Sequence, residues 1–299
     1  MPDFPTALVA GTDGSPAAAR ALRWAARAAR QRKRELRIVH VLEDPWSGFP
    51  HLEPAGKDIE HVLAARGHRI LRRAVEVVQE VAPDLRPEPV LRRGRVPEWL
   101  ATVAEDAALL VLGSPQARVR GRILPGSVAL SLAAQGKCPV AVVRPHVAEE
   151  EAPATGPIVA GVDGSPASER ALAIAFDEAA WRNAPLTAVH CWDDRLLSAL
   201  FEENHWTFDG GAERGAEEIL AERLAGWAEK YPEVPVRRVV VRGHPAEGLL
   251  DLADGAQLLV VGGRGRGGLA GLLLGSTSQA ALSYALCPVV VARPMAAES

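Results

Sequence analysis

The chain has 299 residues, about two domains at the usual roughly 150 residues each, and its 48% hydrophobic content supplies two cores. A net charge of −3 lacks the basic excess of a protein whose main partner is nucleic acid or a membrane surface. Three cysteines, an odd number, and no basic-then-apolar leader after Met1-Pro2-Asp3-Phe4-Pro5 point to a reducing cytoplasm.

The first strand is predicted at Ala7–Gly11, followed by the turn Thr12-Asp13-Gly14-Ser15-Pro16. Ser15, directly before a proline suited to the first helical position, is a better N-cap than Asp13. The helix beyond it places Ala18, Ala21, Leu22, Ala25 and Ala29 at three-to-four spacing, a stripe of mostly small side chains for close packing on a sheet. Further strands are expected at Leu36–Leu42, Glu88–Arg92, Ala108–Gly113 and Val140–Val143. Residues 146–156 carry three consecutive glutamates, Pro153 and Gly156, which read as a solvated linker.

The chain then repeats itself. Val9 to Pro16 returns 150 residues later as Val159-Ala160-Gly161-Val162-Asp163-Gly164-Ser165-Pro166, and Val39-His40 as Val189-His190. Gly126-Ser127 and Cys138-Pro139-Val140 return 149 residues later as Gly275-Ser276 and Cys287-Pro288-Val289. The copies are collinear apart from one net deletion. Strands in the second are expected at Ile158–Gly161, Leu186–Cys191, Val236–Val241, Gln257–Val261 and Val289–Ala292. Runs such as Leu109-Leu110-Val111-Leu112 and Leu258-Leu259-Val260-Val261 are apolar on both faces, as parallel strands covered by helices must be. The expectation is two tandem α/β domains, 1–146 and 157–299, each a doubly wound, Rossmann-like open sheet of five parallel strands. Ligands of such sheets bind at the carboxyl ends of the strands. The uncharged stretch from Leu269 to Ala292 is long enough to cross a bilayer. Gly275-Ser276-Thr277-Ser278-Gln279 and Pro288 break it into a loop, a helix start and a strand, so no membrane span is expected.

The strongest chemical signal follows the fourth strand of the second copy: Gly262-Gly263-Arg264-Gly265-Arg266-Gly267-Gly268, then Gly275-Ser276-Thr277. Glycines allow positive φ and bring N–H groups against an anion without an intervening Cβ. Gly275-Ser276 opens a helix whose unpaired N–H groups and positive dipole end favour a phosphate. Ser276 and Thr277 add hydroxyls, and Arg264 or Arg266 full charge.

The spacing Gly262-x2-Gly265-x9-Gly275-Ser276 resembles the ATP-binding signature of the universal stress protein family. So do the Asp-Gly-Ser turn after the first strand of each copy and the Cys-Pro-Val ending of each. The resemblance spans nearly the whole chain, twice. It implies strand order 3-2-1-4-5 and ATP, with Mg²⁺, as ligand. It also implies that Asp13 and Asp163 hydrogen-bond ribose or adenine, that backbone groups at Val41 and Cys191 read adenine, and that Gly11 and Gly161 permit close approach. It implies too that the last strand is a dimerisation edge. The two copies are therefore expected to pair through Val140–Val143 and Val289–Ala292 as an internal pseudo-dimer, with two chains associating further as a homodimer. The first copy departs from the signature: Gly113-Ser114-Pro115-Gln116 precedes Gly126-Ser127, with Gln116 where the second glycine belongs and Pro115 removing an N–H donor. Its site is expected to be weaker than the second or empty.

Other patterns mislead. Gly263-x-Gly265-x-x-Gly268 fits a dinucleotide fingerprint but follows the fourth strand and lacks the later acid. Gly121-x4-Gly126-Ser127 mimics a Walker A loop without its lysine. His40 and His190, each alone in an apolar run, read as satisfied buried histidines, Cys138 and Cys287 as buried thiols, and Trp24, Trp99 and Trp181 as packing. No His/Cys cluster has metal-ligand spacing. With no base or nucleophile placed beside the loop, the expected role is ATP binding in stress regulation through an unknown protein partner. The alternatives are a slow Mg²⁺-dependent ATPase and a cyclic-AMP sensor.

Overall fold

The computed structural model describes residues 7–43, 57–114, 118–119, 122–123, 126–144, 151–192, 211–265 and 273–293. The chain divides into two compact units between Arg144 and Pro145.

In the first unit, β1 (Ala7–Gly11), β2 (Glu35–Leu42), β3 (Glu88–Arg93), β4 (Leu109–Gly113) and β7 (Val140–Val143) form a parallel sheet in the order β3-β2-β1-β4-β7. Helices α1 (Pro16–Arg32), α2 (Lys57–Val81), α3 (Val96–Val103) and α4 (Ser127–Gln135) connect them. A short antiparallel ribbon, β5 (Arg118–Val119) with β6 (Arg122–Ile123), falls in a segment the sequence reading left without structure. The second unit repeats the plan as β10-β9-β8-β11-β12: β8 (Ile158–Gly161), β9 (Leu186–Trp192), β10 (Val236–Arg242), β11 (Leu258–Gly262) and β12 (Val289–Ala292), all parallel. Its helices are α5 (Pro166–Arg182), α6 (Gly211–Leu224), the one-turn α7 (Trp227–Lys230), α8 (Pro245–Ala253) and α9 (Ser276–Tyr284). Each unit is thus the doubly wound open sheet in the expected order. No described helix is long and apolar enough to cross a membrane.

The small-residue stripe does what its spacing implies: Ala18, Ala21, Leu22, Ala25 and Ala29 are all buried. Helix and sheet come close at the end of the fourth strand. A Cβ on Gly113 would overlap the Ala17 carbonyl, and one on Gly262 would lie 2.9 Å from the Ala167 carbonyl carbon and 3.0 Å from Ser168 N. Backbone meets backbone there, so any side chain would push the helix off the sheet. At the far end of α5, Arg182 pairs with Glu178 at 2.8 Å and donates to Gln257 Oε1 at 3.2 Å, while Gln257 Nε2 donates to Gly156 O at 2.7 Å. Trp24 is buried, but Trp181, expected in the packing, is 39% exposed.

Both first helices begin and end alike. Ser15 Oγ accepts from Ala18 N and Ser165 Oγ from Ser168 N, each at 3.2 Å. They close on Lys33 (φ 52°) and Asn183 (φ 51°), whose N–H groups bond back to the last-turn carbonyls. Asn tolerates this left-handed cap, whereas Lys is strained there by its Cβ. Lys33→Gly is therefore expected to stabilise the first unit by up to about 1 kcal/mol, read as a higher urea midpoint with unchanged slope; a lower midpoint contradicts it.

Candidate functional site

The loops at the carboxyl ends of β8, β9 and β11 enclose a cavity of about 600 Å³, within the range of nucleotide-sized sites. Nine of the ten second-copy residues singled out from sequence line it: Gly161, Asp163, Cys191, Gly262, Arg264, Gly265, Gly275, Ser276 and Thr277. Arg266 lies outside the described residues.

One wall is the β8–α5 turn. Asp163 accepts from Ser165 N through Oδ1 at 2.9 Å, which braces the turn. Its Oδ2 lies 2.5 Å from where a Cβ on Gly265 would stand, so that glycine lets the loop close over the carboxylate. Ser165 does double duty: its Oγ caps α5 and donates to Arg264 O at 3.3 Å. The opposite wall is the start of α9. Gly275 N donates to Gly263 O at 2.9 Å, and Ser278 Oγ donates to Gly262 O at 2.6 Å, so the loop is pinned where it leaves the sheet and where it returns. Gly275, the N-cap, provides no side chain to the first helical N–H groups. The donors of α5 are partly consumed by Ser165, whereas those of α9 stay available to an anion.

Positive φ is not the reason for these glycines. None of Gly262, Gly263, Gly265 and Gly275 has it, and the expectation that it would shape the loop is corrected here. A helix backbone stands in the place of a side chain at Gly262, Asp163 at Gly265 and the end of β12 at Gly263, whereas a Cβ at Gly275 would meet only ordinary contacts at 3.6 Å. Gly14 and Gly164, in the two β–α turns, are the ones at positive φ, +82° and +74°.

Several lining residues were not singled out from sequence. Val162, Val189, Pro245 and Leu249 form an apolar end near Cys191. Ser278 is 2% exposed and holds the loop through the bond just described; the run Ser276-Thr277-Ser278 was its signal, but only the first two were read. Arg293, just beyond β12, lies against the loop, with Nη1 3.1 Å from where a Gly263 Cβ would stand. Burial and then the like charge of Arg264 push its pKa down. Arg264 and Arg293 thus both bring positive charge to the loop, which favours an anion there.

The first-copy residues occupy the matching positions with differences. Asp13 Oδ1 accepts from Ser15 N at 2.8 Å, and Gly126 is the N-cap of α4, followed by the exposed Ser127. Gly113 serves the helix–sheet contact, and Val41 is buried. A Cβ on Gly11 would stand 2.7 Å from Leu112 Cδ2, against 3.8 Å between one on Gly161 and Val261 Cγ1. The larger Leu112 crowds the strand end more than Val261 does, while a leucine of α3 or α8, Leu100 at 3.3 Å or Leu249 at 3.1 Å, lies near each glycine. Pro115 and Gln116 lie outside the described residues. His40 and His190 are buried and donate through Nδ1 to Thr12 O at 2.8 Å and Val162 O at 2.6 Å. Among the described residues no cluster of His, Cys, Asp or Glu is placed to hold a metal ion.

The chain matches the Universal stress protein family twice, over residues 6–144 and 155–293. A universal stress protein of Mycobacterium tuberculosis is 40% identical over 293 residues, covering 96% of each chain. One of Mycobacterium bovis is 41% identical over 292 residues, again 96% of each. Among solved structures, a universal stress protein from Archaeoglobus fulgidus superimposes with a TM-score of 0.72 over 97% of this chain and 99% of its own. At 18% identity that likeness is one of fold.

Cys191 offers a probe of the cavity. Burial pushes its thiol up to about 11, so at pH 8 roughly one molecule in a thousand carries the thiolate. Alkylation of the native protein by iodoacetamide, followed on the Cys191 peptide by mass spectrometry, should accelerate about tenfold per pH unit from 8 to 10. Rapid labelling at pH 7.5 would show the thiol to be open to solvent.

Proposed function

The chain belongs to the universal stress protein family, and on that premise we propose that its second unit binds ATP and that occupancy governs a stress-response interaction with another protein. The observation that carries this reading is the convergence of nine sequence-selected residues on one cavity with an apolar end and a donor-rich end. Adenine fits the apolar end, between Val189, Cys191 and Leu249. The ribose falls beside Asp163, and the phosphates beside Gly265, the start of α9 and Arg264. Mg²⁺ would arrive with the triphosphate and neutralise part of its charge; Asp163 is the one carboxylate among the described lining residues. The protein's part is to orient and to hold, and binding shifts the population of the state that meets the partner. A homodimer belongs to the same proposal, and sedimentation showing a strict monomer at micromolar concentration removes it.

The first site is the weaker one in this reading, because Leu112 narrows it and Gln116 replaces a loop glycine. Titration calorimetry of nucleotide-free protein should find one dominant ATP site. Asp163→Ala should weaken it about ten- to a hundredfold, the value of a hydrogen bond to a charged group, whereas Asp13→Ala should leave it nearly unchanged. Two equal sites, or loss through Asp13 instead, would reverse the assignment. Chromatography of nucleotide released from freshly purified protein separates the alternatives: cyclic AMP in place of ATP makes the site a sensor of that nucleotide.

A further inference from the structure

The first unit has a hollow of about 350 Å³ between α1 and α2, bounded at one end by Thr12, Gly14 and Ser15 of the β1–α1 turn. Its floor is apolar, built from Ala19 and Leu22 of α1 and Ile70, Ala74 and Val77 of α2, and its rim carries Arg66, Arg69 and Arg73. We propose that it binds a small amphiphilic anion, a free medium-chain carboxylate whose head pairs with Arg66 and Arg69 while its chain lies along the floor.

Exposed arginines are ordinarily a solvated face, so the weight rests on what the fold pays for these and on what the other unit does in the same place. From Arg66 to Arg73, α2 carries four arginines and His68 with no carboxylate. Arg66 and Arg69, then Arg69 and Arg73, repel each other at three- and four-residue spacing, which weakens the helix. Arg73 is partly offset by Glu76 at 2.8 Å and Glu80 at 3.7 Å. Arg66 and Arg69 have no carboxylate partner among the described residues.

The second unit supplies the comparison. Buried Leu71 and Gly67 of α2 correspond, 149 residues on, to buried Leu220 and Ala216 of α6. This register sets Glu218 and Glu222 where Arg69 and Arg73 stand, and the repeat of α1 in α5 sets Glu169 where Ala19 stands. There Arg223 reaches across to Glu169 at 3.5 Å, an ion pair between the two helices. The same architecture therefore folds with opposite charge and a bridged groove. The open, basic version is a property of the first unit that the fold does not require, and such departures from local consistency mark functional places. The apolar floor argues against inorganic phosphate, and the guanidinium fork matches a carboxylate.

Calorimetry on the full chain with octanoate, decanoate and dodecanoate below their micellar concentrations tests this. Each added methylene should tighten binding about fourfold until the hollow is full. The Arg66→Ala, Arg69→Ala double variant should weaken dodecanoate at least tenfold. So should Ala19→Glu, which installs the residue of the second unit, with circular dichroism confirming that both variants fold. Dodecyltrimethylammonium, of equal length and opposite charge, should not bind. Affinity independent of chain length, equal binding of the cation or an unaffected double variant would each overturn the proposal. Sedimentation with phosphatidylglycerol vesicles that depends on Arg66 and Arg69 would overturn it too, because the anion would then be a membrane surface.

Discussion

Where β11 ends, two stretches of backbone touch with no side chain between them, and the second-unit cavity depends on that contact. Gly262 lies against Ala167 and Ser168 at the start of α5. It brings the Asp163 turn and the glycine loop to opposite sides of one strand end. Once they are that close, short side chains complete the frame: Ser165 Oγ reaches Arg264 O, and Ser278 Oγ reaches Gly262 O. The cavity is therefore a consequence of how tightly the first helix packs, and that follows from a stripe of alanines on α5: Ala167, Ala171, Ala175 and Ala179 are all buried.

That dependence explains what could be read from the chain and what could not. Strands such as Leu258–Gly262 announce themselves because a fully covered parallel strand has no polar face to show. The serine caps are legible because the preference for Ser before a first-turn proline is local chemistry. The loop residues were found because their glycines cluster. Why they are glycine was misread, since steric room and positive φ leave the same letter in the sequence, and only the distance from Gly265 to Asp163 separates them. Arg293 had no local signal at all. It reaches the loop because β12 pairs with β11, placing it beside Gly263 although 30 residues separate them along the chain.

The repeat turns one chain into its own control. What both units keep is what the fold needs: the Asp-Gly-Ser turn, the left-handed cap at Lys33 and Asn183, the glycine ending the fourth strand, and the buried histidine bonded to the first loop's carbonyl. Where they part, the fold has tolerated either choice. Leu112 against Val261 changes the room at a strand end by one methylene without disturbing the strand pairing around it. Arg69 and Arg73 against Glu218 and Glu222 invert the charge of a helix face while the anchors Leu71 and Leu220 stay buried. Differences of this kind cannot be charged to stability, because the other copy shows that the opposite residue folds.

Electrostatics gives the loop its direction. Ser165 satisfies part of the amino end of α5, and Asp163 uses one oxygen to brace its own turn. Neither contributes positive potential to the cavity. The amino end of α9 has no side-chain cap, and Arg264 and Arg293 repel each other beside it, with burial already working against the charge on Arg293. Negative charge brought to that place is attracted by the helix end and relieves the repulsion between the two guanidinium groups at once. A neutral ligand of equal size would gain only the apolar end. On the proposed reading the cavity therefore favours a molecule that is flat and apolar at one side and anionic at the other, with the anionic side toward the loop.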